Sequence, residues 1–475
     1  MRCAEQSCPR KGLHTGLESS AVSSDVLPPD QVEAISSRVA SLMDGVRADL
    51  EALVRIPSVS LDSFDQRSVD DSANAVAALL RAEGLDVQIV REGGRPAVLG
   101  HIDGPPGSPT VTMYAHHDVQ PPGHEADWAS PPFEPTERNG RLYGRGAADD
   151  KAGVMAHIAA LRAHRGALPV GVTIFVEGEE EIGSDSLLTI LERHGEQLRA
   201  DAIVLADSSN WAIGEPALTV TLRGLVRVVA TVSTLDHGLH SGMFGGAVPD
   251  AIMALTRLLA SLHDADGNVA VQGLKSGEAA DLDYSEQRLR SEAAMLEGVD
   301  VIGSGPLLTR LWNKPAVTTI GINAPSVEKA SNTLVPTASA KISMRIDPDE
   351  DTQTAYHLLK AHLEKHVPWG AHLDVRLDDE GPGFDAHAVG PVYDQARAAF
   401  TDAWGVAPVD IGVGGSIPFV ARFAEKFPDA SILVTGVEDP DGRAHGANES
   451  LHLAEFGKVC QAEALLLARL GAMPR

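Results

Sequence analysis

The spacing of apolar residues changes several times along the chain, and each change marks a different kind of element. Residues 31–55, QVEAISSRVASLMDGVRADLEALVR, space their apolar side chains as one or two amphipathic helices do, and IPSVS ends them. A second helix is predicted at about 70–84. The short runs DVQIV, PAVLGHI and TVTMYA read as strands; the last, over 110–115, opens with Thr110, Val111 and Thr112. VMAHIAALRAHRG then reads as a helix, VGVTIFV as a strand, SDSLLTILERHG as a helix and DAIVLAD as a strand. Strands alternating with helices argue for an α/β layer around a largely buried sheet.

After Trp211 the pattern changes. Residues 217–234, ALTVTLRGLVRVVATVST, alternate as one long strand with a glycine break. The helix PDAIMALTRLLASLH follows, then a polar insertion over roughly 264–313, the strand KISMRI, the helix TAYHLLKAHLEKH and the strand HLDVRL. This block reads as an antiparallel α+β unit. Around DDEGPGF the first pattern returns, with helices at 391–404, 418–427 and 449–471, the stretch GVGGSIPF and the strand SILVTG. The expected organisation is a disordered tail over 1–30, a discontinuous α/β domain made of 31–215 and 383–475, and a smaller α+β domain, 216–382, inserted into it.

Composition narrows the function. The 475 residues include 39 basic and 66 acidic side chains, a net charge of -27, which argues against nucleic acid as a partner. No apolar run approaches membrane-spanning length. The Ser-rich N-terminal stretch has no apolar core of the signal-peptide kind. Cys3, Cys8 and Cys460 form no disulfide framework, so a reducing, cytoplasmic setting is expected.

The chemistry-bearing residues stand where strands end. In YAHHDVQP, strand alternation puts His116 and Asp118 on one face and His117 on the other. A histidine backed by a carboxylate two residues on suits a metal ligand with its orienting partner, although the stretch also fits a polar strand end at the surface. GRGAADDKAG sets Asp149 and Asp150 in a Gly-rich loop before a helix; it lacks the spacing of a phosphate-binding P-loop. FVEGEEEIGS sets Glu179, Glu180 and Glu181 after a strand, where adjacent carboxylates need cations or raised pKa values to be tolerated. Asp207 ends DAIVLAD, and His445 stands in a loop before the last helix. Ends of parallel strands are where α/β folds build their sites. Two imidazoles and three carboxylates suit a pair of divalent ions, Zn²⁺ or Mn²⁺, whose charge is balanced once Glu180 is included.

The motifs YAHHDVQP, GRGAADDKAG, EGEEEIGS, LHSGMFGG and GGSIPF, with AHGANE after them, occur in the order found in the M20 metallopeptidases. From about residue 31 onward the chain resembles that family, and within it the dipeptidases similar to carnosine dipeptidase. The resemblance implies a zinc-peptidase-like α/β/α catalytic domain with a ferredoxin-like lid and dimerisation domain inserted in it. It implies that His116 and Asp207 hold one metal ion, Glu181 and His445 a second, and that Asp149 bridges them across a cis Asp149–Asp150 peptide. Asp118 would orient His116, and Glu180 would be the general base. His240 would stabilise the oxyanion in the neighbouring subunit of a homodimer. Arg345 would bind the carboxylate of a small peptide substrate, and Ser416 would line its pocket.

Other readings stay open at this stage. His117 could be the ligand in place of His116, since Ala-His-His-Asp stands where the family often has Gly-His-Tyr-Asp. Arg345 also fits a solvated strand edge, and GVGGSIP a tight turn. His157 and His164 read as surface or core residues. Gly390-Pro391 stands where some dipeptidases have His-Pro, with His387 nearby. The rival activities are an M20 amidohydrolase on N-acyl or N-carbamoyl amino acids and a non-catalytic binding protein on the same scaffold.

Overall fold

The first amphipathic stretch folds as one helix, Pro29–Val54, with Val39, Val46, Leu50, Leu53 and Val54 on its buried face. Proline at its first position lacks only an N–H that would be unsatisfied there anyway. The helix therefore begins within the segment expected as tail. The structure, a computed structural model, describes residues 27–415 and 417–474, so the rest of the tail expectation, with Cys3 and Cys8, lies outside the described residues. The second helix is Arg67–Ala82.

The larger sheet has nine strands. In spatial order eight of them are Asp86–Val90, Ala97–Ile102, Gly171–Glu177, Thr110–His116, Ala202–Leu205, Ser431–Thr435, Ala217–Leu222 and Phe384–Asp385, and Val409–Val413 pairs with Ala217–Leu222 off this path. The four from Gly171–Glu177 to Ser431–Thr435 run parallel to one another. Parallel strands are covered on both faces, and every residue of Gly171–Glu177 is buried. Alternation divides the faces. Val111, Met113 and Ala115 face a core built with the helices Pro29–Val54, Lys151–Ala163 and Leu453–Ala472. Tyr114 and Phe175 face the opposite core, which holds Phe419 and Phe423.

The smaller sheet is antiparallel, in the order Ala316–Asn323, Thr337–Ile346, Gly224–Ser233, His372–Gly381. Gly224–Ser233 alternates buried and half-buried positions along its whole length. One face packs on the helices Ala251–Ala260 and Thr352–His366 around a separate core of Val226, Val228, Ile342, Met344, Leu255 and Leu359.

Two expectations need correction. Residues 217–234 are two strands in different sheets: Ala217–Leu222 stays in the large one, and the crossing falls at Arg223 rather than before residue 216. The sequence alternates through both strands, although burial alternates strictly only in Gly224–Ser233, so the periodicity gave no sign of the change. A Cβ on Gly224 would meet the Ile346 side chain at 2.8 Å and the Gly383 nitrogen at 3.0 Å, so the close crossing requires glycine. The helix expected at 449–471 opens with a short strand, Ser450–His452, paired to Arg141–Tyr143, and becomes helical only at Leu453. The polar insertion contains helices Glu286–Glu292 and Leu307–Trp312, and Trp312 packs against Ala217 and Ile411 of the large sheet. Among the described residues no helix is long and apolar enough to cross a membrane.

Candidate metal centre

The four parallel strands end side by side, and each is followed by acid or histidine. His116 is the last residue of Thr110–His116. Glu179, Glu180 and Glu181 follow Gly171–Glu177. Asp207 lies just past Ala202–Leu205, and Glu438 just past Ser431–Thr435.

A further side chain, Asp149, arrives from the Gly-rich loop. Glu449, fully buried, accepts the backbone N–H groups of Gly146, Ala148 and Asp149 at 3.1, 3.0 and 3.1 Å. Its charge is met by Arg145 at 2.5 Å. The Asp149–Asp150 peptide is cis. Asp150 caps the helix Lys151–Ala163 through the Gly153 N–H, and its other oxygen accepts the His116 N–H at 3.1 Å. The loop and the strand end are thus fixed to each other.

Asp149 then reaches both histidines. Its Oδ1 lies 3.1 Å from His116 Nε2 and its Oδ2 lies 3.0 Å from His445 Nε2. Asp207 Oδ1 stands 4.0 Å from His116 Nε2, and Glu181 Oε2 stands 3.2 Å from His445 Nε2. The result is two groups, His116–Asp149–Asp207 and Asp149–Glu181–His445, each compact enough to share one ion and joined at Asp149.

Neighbouring side chains hold these groups in place. His116 Nδ1 lies 3.0 Å from the Asp118 carbonyl and 3.5 Å from its carboxylate, so the backbone oxygen is the nearer partner. The Asp118 carboxylate accepts the N–H groups of Glu180 and Glu181 at 3.2 and 3.1 Å. Gln120 donates to Glu181 through its backbone at 3.0 Å and its side chain at 2.7 Å. His117 points away from the cluster, with Nε2 2.9 Å from the Pro96 carbonyl, and burial lowers its pKa to about 4.

The electrostatics are those of crowded acid. Burial raises Asp207 and Glu180 well above the carboxylate range, and neighbouring carboxylates push the same way. Glu438 is raised likewise, by burial first and then by the charges of Asp149 and Glu449. Asp149 is held low against its burial by the hydrogen bonds of His116 and His445. His445 is pushed up to about 11 by Asp149 and then Glu181. Imidazole nitrogens and carboxylate oxygens crowded to this degree suit divalent cations, which supply the charge that the acids lack.

His240, Arg345 and His387 are not among the residues of these two groups. His240 is exposed, its Nδ1 accepts the Gly242 N–H at 3.1 Å, and no hydrogen bond or ion pair among the described residues links it to the cluster. Arg345 is half-buried on the central strand Thr337–Ile346, opposite Leu225, at the end nearest the crossing. Its charge acts on Arg223, whose Nε donates to the Gly414 carbonyl at 3.1 Å. Ser416 lies outside the described residues. His387 is exposed and 3.2 Å from Asp385. Sequence reasoning missed the supporting roles of Glu449, Arg145, Asp150 and Gln120. The only trace of them was their place inside motifs already noticed.

Residues 112–469 match the profile of Peptidase family M20/M25/M40. The chain belongs to this family. Among its M20 relatives is the cysteinylglycine-S-conjugate dipeptidase of Corynebacterium striatum, 34% identical over 410 residues that cover 85% of this chain and 90% of that protein. Another is the Cys-Gly metallodipeptidase dug1 of Schizosaccharomyces pombe, 29% identical over 442 residues, covering 86% of this chain and 92% of that one. The M20 fold is also seen in the crystal structure of human carnosine dipeptidase 1, which superposes with a TM-score of 0.80 over 94% of this chain and 100% of that one, at 24% identity.

Proposed function

We propose that the chain is a dinuclear metal-dependent dipeptidase that hydrolyses the peptide bond of small peptides with a free C-terminal carboxylate. The observation behind this reading is Asp149, whose two oxygens face two histidines and join two three-residue groups. His116, Asp207 and Asp149 would hold one ion, and Glu181, His445 and Asp149 the other. Mixed nitrogen and oxygen donors fit Zn²⁺ or Mn²⁺. Bound there, such ions supply Lewis acidity, which eases ionisation of a water and polarises a carbonyl.

The chain's own groups move the proton. Glu180 stands beside Glu181 with its backbone held by Asp118, and it takes a proton from the attacking water and passes it to the leaving amine. Arg345 offers a planar fork of donors to the substrate carboxylate.

His240 serves the site of a second copy, with the smaller sheet as lid and dimer contact. Supporting this, the outer strand Ala316–Asn323 is an unpaired edge with Ile320 and Ile322 exposed, and Val327 beyond it is 89% exposed. The cytoplasmic reading rests on cysteine usage, Cys460 being free and buried.

The test is a panel of dipeptides, headed by Cys-Gly and its S-conjugates, set against N-acetyl and N-carbamoyl amino acids, with Zn²⁺, Mn²⁺ and Co²⁺ supplied separately. Dipeptides should be cleaved fastest, with activity lost on chelation. Preferential turnover of the N-acyl or N-carbamoyl compounds would assign the amidohydrolase activity instead.

A further inference from the structure

The row of strand ends has a fourth position that the reaction above does not use. Glu438 runs beside the segment that follows Asp207: its N–H donates to the Ser208 carbonyl at 3.2 Å, and its own carbonyl accepts the Asn210 N–H at 2.9 Å. Ser209 Oγ donates to its Oε2 at 3.2 Å. Asp149 and His445 lie within electrostatic reach of this carboxylate, as does Asp207.

Two nearby acids behave differently. Asp439 is paired with Arg141 at 2.8 Å and Glu449 with Arg145 at 2.5 Å. Among the described residues no Arg, Lys or His forms an ion pair with Glu438, although it is half-buried. A carboxylate kept in such a place without a cation of its own is costly unless something else brings the charge.

The substrate can bring it. Asp149, Glu181, Asp207 and Glu180 together balance two dications, and Glu438 is one negative charge in excess. In a dipeptide the free ammonium sits on the carbon next to the scissile carbonyl. It must therefore approach the two dications, which repel it, and a carboxylate beside Asp207 offsets that repulsion. We infer that Glu438 binds the N-terminal ammonium of the substrate and so makes the site select free dipeptides over N-blocked ones. This rests on the dipeptidase reading above.

The experiment compares wild type with Glu438→Gln, both metal-loaded, on Ala-Gly and on propionyl-glycine, which lacks only the ammonium. The variant should lose about tenfold to a hundredfold in kcat/KM on Ala-Gly, mainly through KM, as expected for one lost charge-assisted hydrogen bond. Propionyl-glycine should be little affected, so the preference for the free amine should shrink by the same factor. Calorimetric titration of Ala-Gly into Glu180→Gln and into the Glu180→Gln/Glu438→Gln double variant should show the same weakening without turnover. Equal losses on both compounds, an unchanged preference, unchanged binding of Ala-Gly, or loss of metal from Glu438→Gln would each overturn the inference. If wild type cleaves no dipeptide, the activity reading falls, and the binding titration still decides the role of Glu438.

Discussion

The Glu449 carboxylate accepts the backbone N–H of Asp149 at 3.1 Å, across 300 residues of chain. The aspartate that both three-residue groups share is therefore held by the C-terminal segment. Glu449→Gln should remove the charge that Arg145 faces in the interior and destabilise the protein by about 3–5 kcal/mol, the usual cost of breaking a buried pair. A lower denaturant midpoint together with reduced metal content is expected. A variant matching wild type in both would show that this contact does not support the site.

Glu180→Gln should keep its bound metal and lose roughly 10²–10⁴-fold in kcat, the usual share of a general base. Metal analysis checks the first part and steady-state kinetics the second. Loss of an ion would make Glu180 a ligand and remove it from the proton path.

Arg345→Leu should raise KM for dipeptides with a free carboxylate far more than for their C-terminal amides. The half-buried guanidinium at the crossing end of its strand motivates this. Equal effects on acids and amides would mean that Arg345 does not read the carboxylate.

His240 should act on the partner's site. His240→Ala and Glu180→Gln homodimers should each be nearly inactive. An equal mixture, unfolded and refolded, should recover about one quarter of wild-type activity, because half the dimers are hybrids with one complete site each. Hybrids that form without any activity would exclude action across the dimer.

The buried pair of His157 Nδ1 and Glu463 Oε2, 2.8 Å apart, gives a pH prediction. Burial opposes the charge on His157, but Glu463 prevails and raises its pKa above 6.5. A folded-state pKa above the unfolded value means that the pair's stabilisation is full below about pH 6.5 and fades as pH rises through the folded value. The stability difference between wild type and His157→Asn should therefore shrink from pH 6 to pH 9. A difference that is constant over this range would show that the pair does not titrate as stated.

Much of the candidate site was legible in the sequence because strand ends announce themselves. An apolar run stopping at His116 or just short of Asp207 marks both the strand and the place where its acid or histidine emerges. Contacts between distant segments have no such mark. Nothing in the local pattern says that Asp118 holds the amides of Glu180 and Glu181, or that Glu449 reaches back to the Gly-rich loop. Ser450–His452 is too short to show a period, and its pairing with Arg141–Tyr143 depends on folding of the whole chain. His157 and His164 could be surface or core from spacing alone; both are buried, and each is hydrogen-bonded.

The passage between the two sheets has a simple topology. Leu222 pairs with Phe384 on the large-sheet side, and Leu225 pairs with Gly381 on the other. The outgoing and returning chains therefore run as neighbours through the whole crossing, like the two arms of a hairpin whose turn has been replaced by the smaller sheet. Cut there, the large sheet would be left with two strand ends about 5 Å apart, a gap that a two-residue turn closes. The smaller sheet is, in this sense, an inserted cassette: a chain joining Leu222 to Phe384 through Asn-Gly should keep the strand order of the large sheet while lacking Arg345 and His240, and it would uncover Ala217 and Ile411, which Leu308 and Trp312 now cover.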